Sequence, residues 1–334
     1  MGFLINAIKI IFLLGFLVFI HEGGHFLAAR LFKVKVEEFS IGFGPKIFTK
    51  KGKETEYAVS LIPFGWYVKM TGETERSLDE GAFNNAKISH RIAIVAAGAF
   101  VNIVFAIIVY FILSLTSGYN ISTTVASIIP EATENVSNIQ IGDKITKIDG
   151  KKIRIKSDIS KALNNSNGEP IKVLVIRENE EKEILVTPTE YQGAYILGVQ
   201  VALANGTLSE KVYYAFWETV YFVLSIGESL KLLFTGNVGI EQMTGPIGIS
   251  EIVVKSSGIY DFVYLLSLIS LSLGVTNLLP IPALDGGRIV LLIIEGIRGK
   301  ALKEEVELSI QSIGFALLIL FSLYVSYNDI LRIF

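Results

Sequence analysis

Apolar residues run almost unbroken from Phe3 to Phe32, interrupted mainly by Lys9 and by His21, Glu22 and His25. A second run, Ile92 to Leu115, carries only Asn102 as a strongly polar residue. A third covers Phe262 to Leu279 and a fourth about Ser309 to Val325. Each has the length and composition of a membrane-spanning helix. The stretch Val212 to Phe234 differs, because Glu218, Glu228 and Lys231 are spaced through its aromatic and aliphatic positions. It reads as an amphipathic helix lying on the membrane surface, with a fifth span as the alternative.

Between these runs the pattern shortens to that of strands. "VKVEEFSIGFGPKIF", a "TKKGKET" turn and "EYAVSLIPFGWYVKM" predict a sheet, its first part broken at Gly42, Gly44 and Pro45. Beyond the second run, "IGDKITKIDGKKI" alternates with period two and holds an Asp149-Gly150 turn. A helix near Lys156 to Leu163 and two strands, "PIKVLVIREN" and "EEKEILVTPTE", complete an α+β module. The chain thus divides into a first span (1–32), a β-sheet loop (33–90), a second span (91–117), the module (118–192), an amphipathic helical region (193–260), a third span (261–288), a connection (289–308) and a fourth span with the C-terminus (309–334). The fold class predicted is a polytopic α-helical membrane protein with about four transmembrane helices.

Composition agrees: 51% of the 334 residues are hydrophobic, and the mean hydropathy is +0.52. The net charge of -2 and the lack of a basic stripe speak against a nucleic-acid partner. No cysteine is present, so any metal must be held by nitrogen and oxygen. Eleven Lys and Arg lie from Arg30 to Arg91, and Arg288, Arg298, Lys300 and Lys303 follow the third run. Both loops are therefore expected on the cytosolic side. The α+β module and both termini are then extracytoplasmic, and the first helix is expected to remain uncleaved.

Ionisable residues inside a span are expensive and need a use. His21 and His25 are four apart, so on a helix both imidazoles project from one face and can share a metal ion. Glu22 lies beside them, where a carboxylate can take a proton from water on that metal. The alternative is that these groups are polar contacts between helices. A catalytic zinc takes three protein ligands and keeps a fourth position open. The remaining histidine, His90, sits at the mouth of the second span, so a carboxylate is the expected third ligand. "TNLLPIPALDGGR" supplies Asp285, whose other reading is a helix cap at the interface. Pro280 and Pro282 forbid a regular helix just before it, and Gly286-Gly287 let another backbone come close. Such backbone at membrane depth belongs in protein or beside a wet cavity.

"HEGGH", "GFGPKIF", "LIPFGWYVKM", "AGAFVN", a single PDZ-like module and "NLLPIPALDGGR", in that order, resemble the bacterial branch of the site-2 proteases, zinc intramembrane proteases. The similarity covers nearly the whole chain. It implies Zn2+ as cofactor, with His21, His25 and Asp285 as ligands and Glu22 as general base. It also implies that Asn277, Asn102 and Pro280 lie at the substrate, and that the sheet is membrane-associated on the cytosolic side and offers an edge to an unwound substrate. Partners implied are single-pass transmembrane proteins or peptides, such as anti-sigma factors and signal-peptide remnants. An upstream site-1 protease acting on the same substrate, and the bilayer of the bacterial plasma membrane, complete the set. Two departures stand out: Ala99 replaces the proline of the family's Ala-Gly-Pro element, and Trp66 replaces a glycine, where an aromatic narrows the approach. The segment "IIPEATENVSNIQ" also departs from the pattern usual at the start of the PDZ-like module, which favours a size filter over a peptide clamp. Other functions compatible with the residues alone are an inactive PDZ-bearing adaptor and a transporter with a broken helix. Retention of Glu22 weighs against the adaptor, and the lack of an inverted repeat against the transporter.

Overall fold

The computed structural model describes residues 2–116, 123–129, 138–191, 194–202, 207–236, 239, 241, 243–256 and 258–333. It divides into two units, residues 1–106 with 223–334, and residues 107–222.

The first unit is helical around a small sheet. Helices α1 (Gly2–Leu31) and α2 (Ile88–Thr116) form from the two longest apolar runs. They touch through small residues: a Cβ at Gly24 of α1 would overlap the Ala97 carbonyl and the Gly98 Cα of α2. Between them lie strands β1 (Val36–Lys51) and β2 (Glu56–Met70). Gly42 and Gly44 adopt left-handed φ of 80° and 88°, and Gly65 one of 94°. Each long strand therefore bends rather than ending. Residues 38–41 pair both with 66–69 and with 56–59, while 46–51 pair with 56–60. The sheet thus has four segments in the order 66–70, 36–41, 56–60, 46–51, and the glycines expected to break the first strands instead redirect a continuous one. Trp66 packs at a tilt against Phe19 of α1, with ring centroids 4.5 Å apart, and against Phe39.

Later in the chain, helix α6 (Ile259–Asn277) ends before Pro280. A separate amphipathic helix α7 (Asp285–Arg298) follows, closed by Gly299 at φ 65°. The expected third span over 261–288 is therefore two elements, and the connection expected over 289–308 is largely helix. Helix α8 (Glu304–Ile333) starts five residues earlier than the expected 309. Among the described residues, four helical stretches have the length and hydropathy of membrane spans: Leu4–Leu31, Ile88–Thr116, Ile259–Asn277 and Glu304–Ile333. Leu317, Leu320 and Leu323 of α8 are exposed, as lipid-facing side chains are. Leu13 and Leu17 of α1 pack with Phe105 of α2, Leu266 of α6 and Val253 of helix α5 (Pro246–Lys255). A second cluster joins Ala29, Met70, Phe83, Ile94 and Leu292 at the base of α1. Near the end of α8, buried Asp329 accepts hydrogen bonds from the backbone N–H of Gly245 (3.2 Å) and Gly248 (2.8 Å), capping α5.

The second unit holds strands β3 (Val125–Ile128), β4 (Lys144–Ile148) and β5 (Lys151–Lys152), helix α3 (Lys156–Asn164) and strands β6 (Ile171–Arg177) and β7 (Glu180–Val186). Short strands β8 (Thr189–Tyr191), β9 (Ala194–Ile196) and β10 (Val199–Val201) follow. One sheet has the order β5-β4-β6-β7, and β10 pairs with β3. The module therefore extends to residue 201 rather than 192. Asp149-Gly150 and Glu178-Asn179 are two-residue hairpin turns with positive φ at both positions. Ile145, Ile148, Val173 and Val175 are buried against Ile159 and Leu163 of α3. Asp143, fully buried, accepts two 2.7 Å hydrogen bonds from Arg177, which hold its carboxyl below the usual range. Most of the segment 128–140, where the sequence departs from the PDZ pattern, lies outside the described residues, namely 130–137. Helix α4 (Leu208–Phe234) is continuous and is not among the four span-like helices. Its polar positions are tied to protein: Tyr221 donates to Asp158 (2.6 Å), and Ser157 donates to Glu218.

Candidate metal centre

The helical spacing of His21 and His25 brings their Nε2 atoms to 3.3 Å of each other. Both side chains are buried, each residue about 8% exposed. A carboxylate oxygen of Glu22 lies within 4.8 Å of both imidazoles. Asp285 arrives from the first turn of α7, where the helix dipole favours a negative charge. Its Oδ2 is 3.1 Å from His21 Nε2 and 3.5 Å from His25 Nε2.

These distances test the fit to a metal. Ligands at 2.0–2.2 Å from a tetrahedral zinc are about 3.3–3.6 Å apart, and the three edges here are 3.1, 3.3 and 3.5 Å. Asp285 Oδ2 is also buried without a hydrogen-bond donor, which suits an oxygen facing a cation. The donor set of two imidazoles and one carboxylate leaves a fourth position open.

Several features hold this arrangement. His25 Nδ1 contacts the Ile94 carbonyl of α2 at 2.9 Å, so Nδ1 carries the hydrogen and the Nε2 lone pair faces the centre. Gly98 backs both rings; a Cβ there would overlap the His25 imidazole and crowd His21. Helix α2 stays regular through Ala99 despite the missing proline. On the Asp285 side, a Cβ at Gly286 would meet the carbonyls of Leu278 and Leu279, and one at Gly287 that of Ile281. Only glycines let the chain before α7 fold back so closely. Ala283 sits at φ 72° and donates its N–H to Gln311 of α8 at 2.6 Å. A cavity of about 280 Å³ reaches Asp285, lined among others by Glu73, Ala283, Leu284, Arg288 and Gln311. The Arg288 guanidinium pairs with the Glu73 carboxylate at its wall.

The other expected site residues are placed differently. Asn102, expected at the substrate, is fully buried against His21, with its amide 3.2 Å from Nδ1. Asn277 ends α6 half-buried and Pro280 is exposed in the connection. No hydrogen bond links either to the triad among the described residues. His90 stacks on Phe32, with centroids 4.4 Å apart, outside the cluster. Sequence reasoning did not find the Ile94 carbonyl, Gly98, Glu73 or Gln311, whose roles depend on neighbours distant along the chain.

Comparison with known proteins adds a family to this geometry. The model of peptidase family M50 matches residues 9–321. A protein of Clostridium acetobutylicum, provisionally named a zinc metalloprotease, is 35% identical over 97% of both chains. One of Clostridium perfringens with the same provisional name is 36% identical over 94% of this chain and 95% of its own. The zinc metalloprotease RasP of Geobacillus kaustophilus is 28% identical over 98% of both. With four span-like helices and a His-Glu-His cluster fit for a metal, the chain belongs to peptidase family M50, the site-2 protease family, and is a membrane zinc metalloprotease.

Proposed function

We propose that the enzyme is an intramembrane endopeptidase, hydrolysing peptide bonds within substrate transmembrane helices. The reading is carried by the triangle of His21 Nε2, His25 Nε2 and Asp285 Oδ2, whose first two corners lie in a span-like helix. These three atoms are the zinc ligands. When bound, zinc supplies Lewis acidity toward the scissile carbonyl and toward water. Glu22 is the general base: its carboxylate takes the proton of the attacking water and returns one to the leaving amine. Its place one residue from a ligand keeps that carboxylate within 4.8 Å of both imidazoles. The cavity at Asp285 admits water to a region otherwise closed by apolar helices.

A helix hides its scissile carbonyls in backbone hydrogen bonds, so the substrate must be opened first. The edge segments of the β1–β2 sheet offer main-chain groups to hold the opened stretch. Asn277, at the end of α6, and Pro280, between α6 and α7, contact it near the metal, and Asn277 steadies the substrate or its oxyanion. The enzyme sits in a bacterial plasma membrane with the metal toward the cytosol. Residues 125–201 form a PDZ-like extracytoplasmic module acting as a size filter. Substrates are single-pass proteins already shortened by a site-1 protease, anti-sigma factors or signal-peptide remnants among them.

The test is zinc content and cleavage of a model transmembrane peptide by the detergent-solubilised protein. Glu22→Gln is expected to keep about one zinc per chain while cleavage falls by about 10²–10⁴-fold, the usual size of a general-base contribution. His21→Ala and Asp285→Ala are expected to lose both. Wild-type cleavage by Glu22→Gln would remove that residue from the chemistry. Stoichiometric zinc with no cleavage by the unmodified protein would favour an adaptor.

A further inference from the structure

Each imidazole facing the centre has a second nitrogen, and the two are served differently. His25 Nδ1 meets a backbone carbonyl, that of Ile94. His21 Nδ1 meets a side chain, the amide of Asn102 at 3.2 Å. A neutral imidazole that ligates through Nε2 carries its hydrogen on Nδ1 and needs an acceptor there. The amide presents Nδ2 to the ring, while Asn102 Oδ1 is buried with no hydrogen-bond partner. A half-turn of the amide exchanges two groups of nearly equal size. It gives the orphaned oxygen a donor and leaves His21 Nε2 with a lone pair toward the metal.

We propose that Asn102 is a positioning residue for the zinc centre: its amide oxygen accepts from His21 Nδ1–H and fixes the tautomer that ligates through Nε2. Asn102 is built in place for this. Its side chain is fully buried and its backbone carbonyl accepts a 3.0 Å hydrogen bond from Ser270 of α6, itself buried. Gly274, one turn further on, brings α6 so near that a Cβ there would lie 3.3 Å from Asn102 Cβ. Helix α6 therefore holds the asparagine, the asparagine holds His21, and substrate has no access to it.

The inference rests on the zinc reading, and the two are separated by experiment. Zinc affinity is measured by chelator competition on the full-length protein, together with the visible spectrum after cobalt substitution. Asn102→Leu, similar in size and without polar atoms, is expected to weaken zinc by about 10–100-fold and to alter the cobalt bands. Asn102→Asp, which offers only acceptors, is expected to stay within about threefold of the unmodified protein. Thermal melting of each variant identifies any that fails to fold. Should the leucine variant not fold, the aspartate variant decides alone, because it has no N–H with which to replace the amide donor. Unchanged zinc affinity in Asn102→Leu, or a loss of about tenfold or more in Asn102→Asp, would overturn the assignment. If His21→Ala itself keeps its zinc, the metal centre fails instead.

Discussion

His21, His25 and Asp285 could be picked out of the chain because their chemistry is carried by residue type: ionisable groups in apolar runs, two of them four apart. The groups that orient them could not. Ile94 acts through its carbonyl, which any residue has, and Asn102 meets His21 across 81 positions of sequence. Gly98 is a further case: it stands in the Ala-Gly-Ala element of the sequence, but its part is seen only when its missing Cβ makes room for two rings. Gly98→Ala is therefore expected to displace His25 and weaken zinc binding by at least tenfold, comparable to loss of an orienting contact. Isothermal titration or chelator competition would read it, and unchanged affinity would mean that α1 moves aside freely. Glu73 and Arg288 pair at the cavity wall. For such a partly exposed pair Arg288→Met is expected to change stability by only about 1 kcal/mol or less.

Among the elements, α1 and α2 were legible to within about one turn because long apolar runs leave few alternatives to a helix. The sheet was legible as strands but not in its order, since the left-handed glycines that bend β1 look the same in sequence as glycines that end it. Helix α7 was absorbed into a span and a connection. Its own signals were present: prolines before it, Asp285 in its first turn and Gly299 after it. β10 has three residues, too few for any periodicity. The junction ahead of α7 carries a conformational cost, because Ala283 holds φ 72°, where a Cβ costs about 1–2 kcal/mol. Ala283→Gly should thus raise the melting temperature or leave it unchanged. Gln311→Leu removes the acceptor of the Ala283 N–H and should lower it, by about 1–3 kcal/mol in stability. Opposite signs in the two variants would identify the turn as strained and held by α8.

At the scale of the molecule, residues 107–222 carry an acid response of their own. In residues 107–222 the Asp143 carboxyl is held low by Arg177. A depressed carboxylate contributes stability that is present above its unfolded value near pH 4 and is lost as pH falls below it. Hydrogen exchange in β4 and β6, corrected for intrinsic rates, is expected to be flat from pH 7 to 5 and to rise below about pH 4. Asp143→Asn, which leaves the guanidinium without its charge partner, should lower stability at neutral pH and remove most of that acid sensitivity. The metal centre is spread along the chain: two ligand candidates stand at 21 and 25, and the third at 285. At about 5–20 residues per second, the ribosome needs roughly 15–50 s to travel from His21 to Asp285. For that interval the nascent chain carries His21 and His25 without the third candidate ligand. Protein synthesis thus acts as a timer, because a centre built from these three candidates stays incomplete until Asp285 has been made.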